Sequence, residues 1–121
     1  LTIFKYGHFK GASGTFLDWK INCDDLLEDD WECIVKVVGP VLEPFGEVLG
    51  VPRGGVYLAR KLRRYLTTGP PLIVDDVWTT GYSMTKYVNG YNFPEWKGFV
   101  VFARGDLPEH VTCLFKLRLG E

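Results

Sequence analysis

The chain of 121 residues is 46% hydrophobic, 24% charged and 15% aromatic, an ordinary globular mixture that excludes disorder, collagen and coiled coil. Its net charge of −1, from 14 basic and 15 acidic residues, gives no general field to draw it to nucleic acid or to an anionic membrane. No apolar run approaches the roughly 18 residues that a membrane span needs, and Leu1–Lys10 lacks the long apolar block of a secretory signal. Cys23, Cys33 and Cys113 are an odd number and well apart, with no C-x-x-C spacing. They argue against disulfides or zinc and for a reducing cytoplasm, with Cys23 and Cys33 expected in core packing. No repeat or linker divides the chain, so one domain is expected over residues 1–121.

In chain order, His8 to Ile21 reads as a hairpin (8–22). Gly11, Ser13 and Gly14 supply turn chemistry, and Leu17, Trp19 and Ile21 alternate with Asp18 and Lys20. Leu27, Trp31, Ile34, Val35 and Val38 then form one stripe at helical spacing, and Glu28 to Asp30 suit the electropositive first turn. Gly39-Pro40 is expected to stop or kink this helix. Glu47 to Val51 reads as a buried strand entering the turn Pro52-Arg53-Gly54-Gly55. Val56, Ala59, Leu62 and Leu66 mark a second amphipathic helix, broken by Gly69-Pro70-Pro71. Leu72-Ile73-Val74 is a second buried strand, expected to end in Asp75-Asp76. The loop Thr79-Thr80-Gly81-Tyr82-Ser83 opens a short helix ending near Asn89-Gly90. Phe99 to Phe102 is a third buried strand ending at Arg104-Gly105, and a last strand spans 111–117. Asp24 to Glu32 forms an acidic block and Arg53 to Arg64 a basic one; the plain reading of each is a solvated helix face.

Continuous apolar strands alternating with helices imply an α/β fold, a compact parallel sheet with an α/β core over 47–105. The loops after parallel strands share one edge of the sheet, where ligands bind. The turn at 52–55, the acidic pair with its loop at 75–83, and Arg104 therefore converge. The hydroxyls of Thr79, Thr80 and Ser83, together with helix-start N–H groups, can cradle a phosphate. Carboxylates at Asp75 and Asp76 can accept hydrogen bonds from vicinal sugar hydroxyls or hold Mg²⁺ through water. Gly54 and Gly55 let backbone approach a ligand closely, and Arg53 can pair with a second phosphate. Trp78 and Tyr82 can stack on a base or pack in the core, and His8 and His110 read as surface residues. A strand ending in Asp-Asp also suits a phospho-accepting receiver, but no apolar strand after Asp76 ends in aspartate.

Leu72 to Ser83 resembles the phosphoribosyl pyrophosphate motif of the type I phosphoribosyltransferases, and Val51 to Gly55 resembles their pyrophosphate loop. The resemblance implies a Rossmann-like single domain with an N-terminal hairpin. It assigns the ribose hydroxyls and the catalytic role to Asp75 and Asp76, and the 5′-phosphate to Thr79, Thr80, Gly81, Tyr82 and Ser83. Pyrophosphate falls to Arg53, Gly54 and Gly55, with Mg²⁺ bridging the diphosphate. Phe9, Ser13-Gly14 and Trp19 to Asn22 are similar to the hairpin of the orotate enzymes, and Arg104 matches the arginine by which they orient the base. The activity implied by the resemblance is transfer of ribose 5-phosphate to a nitrogenous base, pyrimidine-like. The alternative is a phosphoribosyl- or nucleotide-binding module without turnover. The expected partners are a sugar phosphate and a base, not nucleic acid or membrane. Two departures stand out. Ala12 occupies the position of a base-contacting basic residue. Gly55 and Asp75 are only 20 positions apart, where the family usually places further strands and a mobile lid. A lid could come from a partner subunit, in a homodimer, or from Tyr91 to Lys97.

Overall fold

The computed structural model describes residues 4–10 and 16–117. Strands β1 (Phe4–Lys10) and β2 (Phe16–Ile21) pair antiparallel, with Phe4 opposite Ile21 and Lys10 opposite Phe16 and an irregularity between Tyr6 and Phe9. This is the expected hairpin, begun at Phe4 rather than His8. Its turn, with Gly11, Ala12, Ser13 and Gly14, lies outside the described residues, as do the side chains of His8, Phe9, Leu17, Trp19 and Lys20.

Helix α1 (Glu28–Val38) starts where the Asp30 carboxylate accepts the Leu27 N–H at 2.9 Å, and three acids lie in its first turn, beside the positive end of the helix dipole. Trp31, Val35 and Val38 are buried, as their spacing foretells, whereas Leu27 stands outside the stripe at 64% exposure. Cys33, expected in the core, is exposed: it lies two positions from Trp31, about 200° around the helix and off the buried face. Gly39-Pro40-Val41 continues as a single 3₁₀ turn.

The main sheet is parallel in the order β3 (Glu47–Gly50), β4 (Pro71–Trp78), β5 (Lys97–Arg104), β6 (Val111–Leu117). Val48 pairs with Leu72, Asp75 with Val100 and Phe102 with Phe115. Helix α2 (Val56–Leu62) joins β3 to β4 and helix α3 (Tyr82–Asn89) joins β4 to β5. Leu72, Val74, Phe99 and Val101 pack with α1 and α2 through Val35, Leu58 and Leu62. Ile73 and Val100, between them in the strands, pack with α3 through Met84 and Val88. This alternation places the two helices on opposite faces. Both connections nevertheless step the same way across the sheet. Crossovers that step alike and share a hand carry their helices on the same face, so these two are of opposite hand, and one departs from the right-handed rule.

The acidic and basic blocks meet each other. Lys61 on α2 pairs with Glu28 at 2.6 Å and Glu32 at 2.9 Å on α1, and Arg64 also grips Glu32. These charges tie α1 to α2 where solvated faces were expected. Among the described residues no helix is long and apolar enough to cross a membrane.

Candidate functional site

Strand β4 does not stop at the aspartates. It runs on through Val77 and Trp78, because an apolar pair follows and Trp78 is buried against α3. Asp75 and Asp76 thus sit inside the strand and are held by the sheet rather than by a turn. Asp75 is the sole buried charged residue among those described, at 7% exposure, while Asp76 is half-buried. The Asp75 Oδ1 accepts the Asp76 N–H at 2.8 Å, and the Asp76 Oδ1 accepts the Val77 N–H at 2.8 Å. Burial, then a hydrogen bond to the Asp76 carboxyl and the charge of Asp76, push the Asp75 carboxyl from 3.8 up to about 8. Near neutral pH, Asp75 therefore holds a proton, and the pair is less negative than two free carboxylates.

The turn at 52–55 folds onto this pair. The Val51 N–H donates to Val74 O at 2.9 Å and the Gly55 N–H to Val51 O at 2.8 Å, closing the turn against β4. A Cβ on Gly54 would run into the Asp76 carboxylate, so only glycine lets this backbone lie on that side chain. The Pro52–Arg53 peptide bond is cis. The Arg53 side chain is exposed and lines a cleft of about 260 Å³ together with Cys23, Asp24, Trp31, Tyr57 and Asp76.

The hydroxyl loop lies beyond the end of β4. Gly81 has φ +82°, in the left-handed region, and a Cβ there would meet the buried Trp78 ring, so glycine is required on both counts. The Tyr82 N–H lies 3.4 Å from Thr80 Oγ1 and the Thr85 N–H donates to Gly81 O at 3.0 Å, which starts α3. Thr79 and Thr80 are exposed and Ser83 is half-buried. Two open clefts flank Tyr82, itself 45% exposed. One of about 520 Å³ includes Thr80, Gly81 and Lys86; another of about 400 Å³ includes Pro52, Ser83 and Lys86. The second joins the 52–55 turn to the start of α3, so the structure brings together the two loops that the sequence singles out. Trp78, by contrast, is core.

Arg104 ends β5, in register with Leu117 and half-buried, and lines none of these three clefts. The sequence reading missed Cys23, Asp24, Trp31, Tyr57 and Lys86 as cleft-lining residues. Tyr57, two positions past Gly55 and on the side of α2 toward Trp31, was the available signal. Among the described residues no group of three or more His, Cys, Asp or Glu gathers as a metal cage would.

No protein-family model and no curated protein matches the chain. Solved structures do. The orotate phosphoribosyltransferase of Aeropyrum pernix superposes with a TM-score of 0.71 over 95% of this chain and 88% of that one, at 21% identity. The UMP synthase of Leishmania donovani gives 0.75 over 95% of this chain and 34% of that one, at 14% identity. A purine phosphoribosyltransferase from Pyrococcus horikoshii Ot3 gives 0.56 over 76% and 85%, at 19% identity. At such identities the likeness is one of architecture: the chain has the type I phosphoribosyltransferase fold.

Proposed function

We propose that the chain binds phosphoribosyl pyrophosphate with Mg²⁺ and transfers ribose 5-phosphate to a nitrogenous base, a pyrimidine-like ring being favoured. The observation that supports this most is the adjacent Asp75–Asp76 pair in a central parallel strand, with Gly54 pressed on Asp76 from one side and the hydroxyl loop following on the other. In this reading the vicinal ribose hydroxyls donate to the two carboxyl groups. Thr79, Thr80, Ser83 and the first-turn N–H groups of α3 hold the 5′-phosphate. The Arg53 guanidinium and the N–H groups of the turn face the pyrophosphate. A hard cation suits the all-oxygen donors at the pair, held mainly through ligand and water, and when bound it supplies charge neutralisation for the diphosphate.

The base nitrogen forms its bond to C1 as the C1–O bond breaks, with inversion; the electron pair leaves with pyrophosphate, and the proton of that nitrogen is released to water. Positive charge grows on the ribose in that transition state, and the Asp75–Asp76 pair lies where it would stabilise that charge. The free cysteines accord with a cytoplasmic setting.

A second reading, a binding module without turnover, draws support from the interval between Gly55 and β4. It holds only a seven-residue helix and a 3₁₀ turn, with no strand or lid. Labelled phosphoribosyl pyrophosphate with Mg²⁺ and a panel of bases tests both. Pyrophosphate release that depends on one base supports transfer; saturable binding without release supports the module. Absence of saturable binding, or unchanged affinity in Asp75→Asn with Asp76→Asn, refutes the site.

A further inference from the structure

The cleft beside Asp76 has walls that the phosphate chemistry does not use. On its α1–α2 side stand Trp31 and Tyr57, their ring centroids 6.1 Å apart and nearly perpendicular at 76°. Cys23 is buried, and its thiol is pushed up to about 12 by burial and then by the charges of Asp76, Asp24 and Asp75, so it stays neutral. Asp24 is exposed at the mouth, in the same cleft as the 53–54 turn and Asp76. Lys61, with its ammonium 5.2 Å from the Tyr57 ring centroid, is engaged by Glu28 and Glu32. Two carboxylates and one guanidinium therefore line the cleft, and that guanidinium belongs to the turn that faces pyrophosphate in the proposed reaction.

We infer that this cleft receives the acceptor ring, and that it selects an uncharged heteroaromatic base with N–H donors over one carrying a carboxylate. The inference rests on the proposed transfer reaction and names the acceptor class for it. A planar ring beside Trp31 and Tyr57 gains stacking and edge contacts. Its N–H groups find an acceptor in Asp24. An anionic substituent entering the same space meets Asp24 and Asp76, and like charges in a partly dry cleft repel more strongly than in water. The position fits the chemistry as well, since Asp76 would hold the sugar whose C1 the ring must reach.

Uracil and its 6-carboxylate, orotate, differ by that one group and make the test. Binding of each to the whole chain is measured by titration calorimetry, with ribose 5-phosphate and pyrophosphate titrated separately. Uracil is expected to bind at least tenfold more tightly than orotate. Asp24→Asn should shrink that ratio several-fold, and Tyr57→Leu should weaken both rings together while leaving ribose 5-phosphate unchanged. Orotate binding as well as uracil, or a ratio indifferent to Asp24→Asn, overturns the inference. Loss of pyrophosphate rather than ring affinity in Asp24→Asn also overturns it, because the cleft then holds the diphosphate. Should ribose 5-phosphate fail to bind while uracil binds in an Asp24-dependent way, the cleft assignment stands and the transfer reading falls.

Discussion

Replacing Asp75 by Asn should stabilise the protein, and the gain should depend on pH. Asn keeps the shape, can accept the Asp76 N–H that Asp75 Oδ1 accepts at 2.8 Å, and offers the Asp76 carboxylate an N–H donor in place of the shared proton. In the wild type the carboxyl is raised from 3.8 to about 8, so between those values the folded chain binds a proton that the unfolded chain has released. This contribution to stability is fully present below the unfolded value and is lost as pH rises through the folded one. At about 1.4 kcal/mol per pH unit, the span from 3.8 to about 8 gives a ceiling of about 6 kcal/mol. Sharing of the proton with Asp76 and relaxation of the strand bring the expectation to roughly half, about 3 kcal/mol, or roughly 10 °C in Tm for a domain of this size. Urea and thermal unfolding from pH 4 to pH 9 measure it. Wild-type stability should fall steadily from about pH 4 to about pH 8 and level off above it, and the Asn variant should pull ahead as it does, with the two converging at pH 4. Parallel curves, or an Asn variant less stable at pH 8.5, refute the account of Asp75.

Gly54→Ala should lower affinity for ribose 5-phosphate at least tenfold, because its Cβ would displace the Asp76 carboxylate, the group nearest to it; an unchanged affinity in calorimetry removes the turn from the site. Glu32→Gln should uncouple α1 from α2. Arg64 and Lys61 hold the Glu32 carboxyl down from 4.5 to about 2, so its contribution is present above the unfolded value and lost as pH falls between those limits. The variant should therefore differ from wild type in unfolding experiments at pH 7 and low salt, and converge with it at pH 2 or in 1 M salt. A difference that persists in acid would assign the effect to packing.

Local pattern carried much of this architecture. The apolar runs at 48–51, 72–74 and 99–102 have no polar alternation, and the Gly and Pro clusters between them mark the turns, so strand and helix order could be read directly. The hydroxyl loop and the glycine turn were legible for the same reason: their chemistry lies in consecutive residues. What escaped was long-range. Glu32 and Arg64 are 32 positions apart, and nothing local says that the acidic face of α1 meets the basic end of α2. Trp31 and Tyr57 belong to separate helices, and only the packing of α1 on α2 makes them walls of one cleft. The end of β4 was misplaced because two aspartates look like a strand terminus, whereas pairing of Val77 with Phe102 and Trp78 with Ala103 carries the ladder past them.

The change of hand between the two crossovers has a consequence at the tip of β4. With helices on one face only, the 52–55 turn and the hydroxyl loop would stand shoulder to shoulder, and the far side of the strand tip would be bare to water. Here the first leads into α2 on one face and the second into α3 on the other. A molecule lying across the tip of β4 would have beside it one loop that leads to each face, an arrangement that open sheets ordinarily obtain where the strand order reverses.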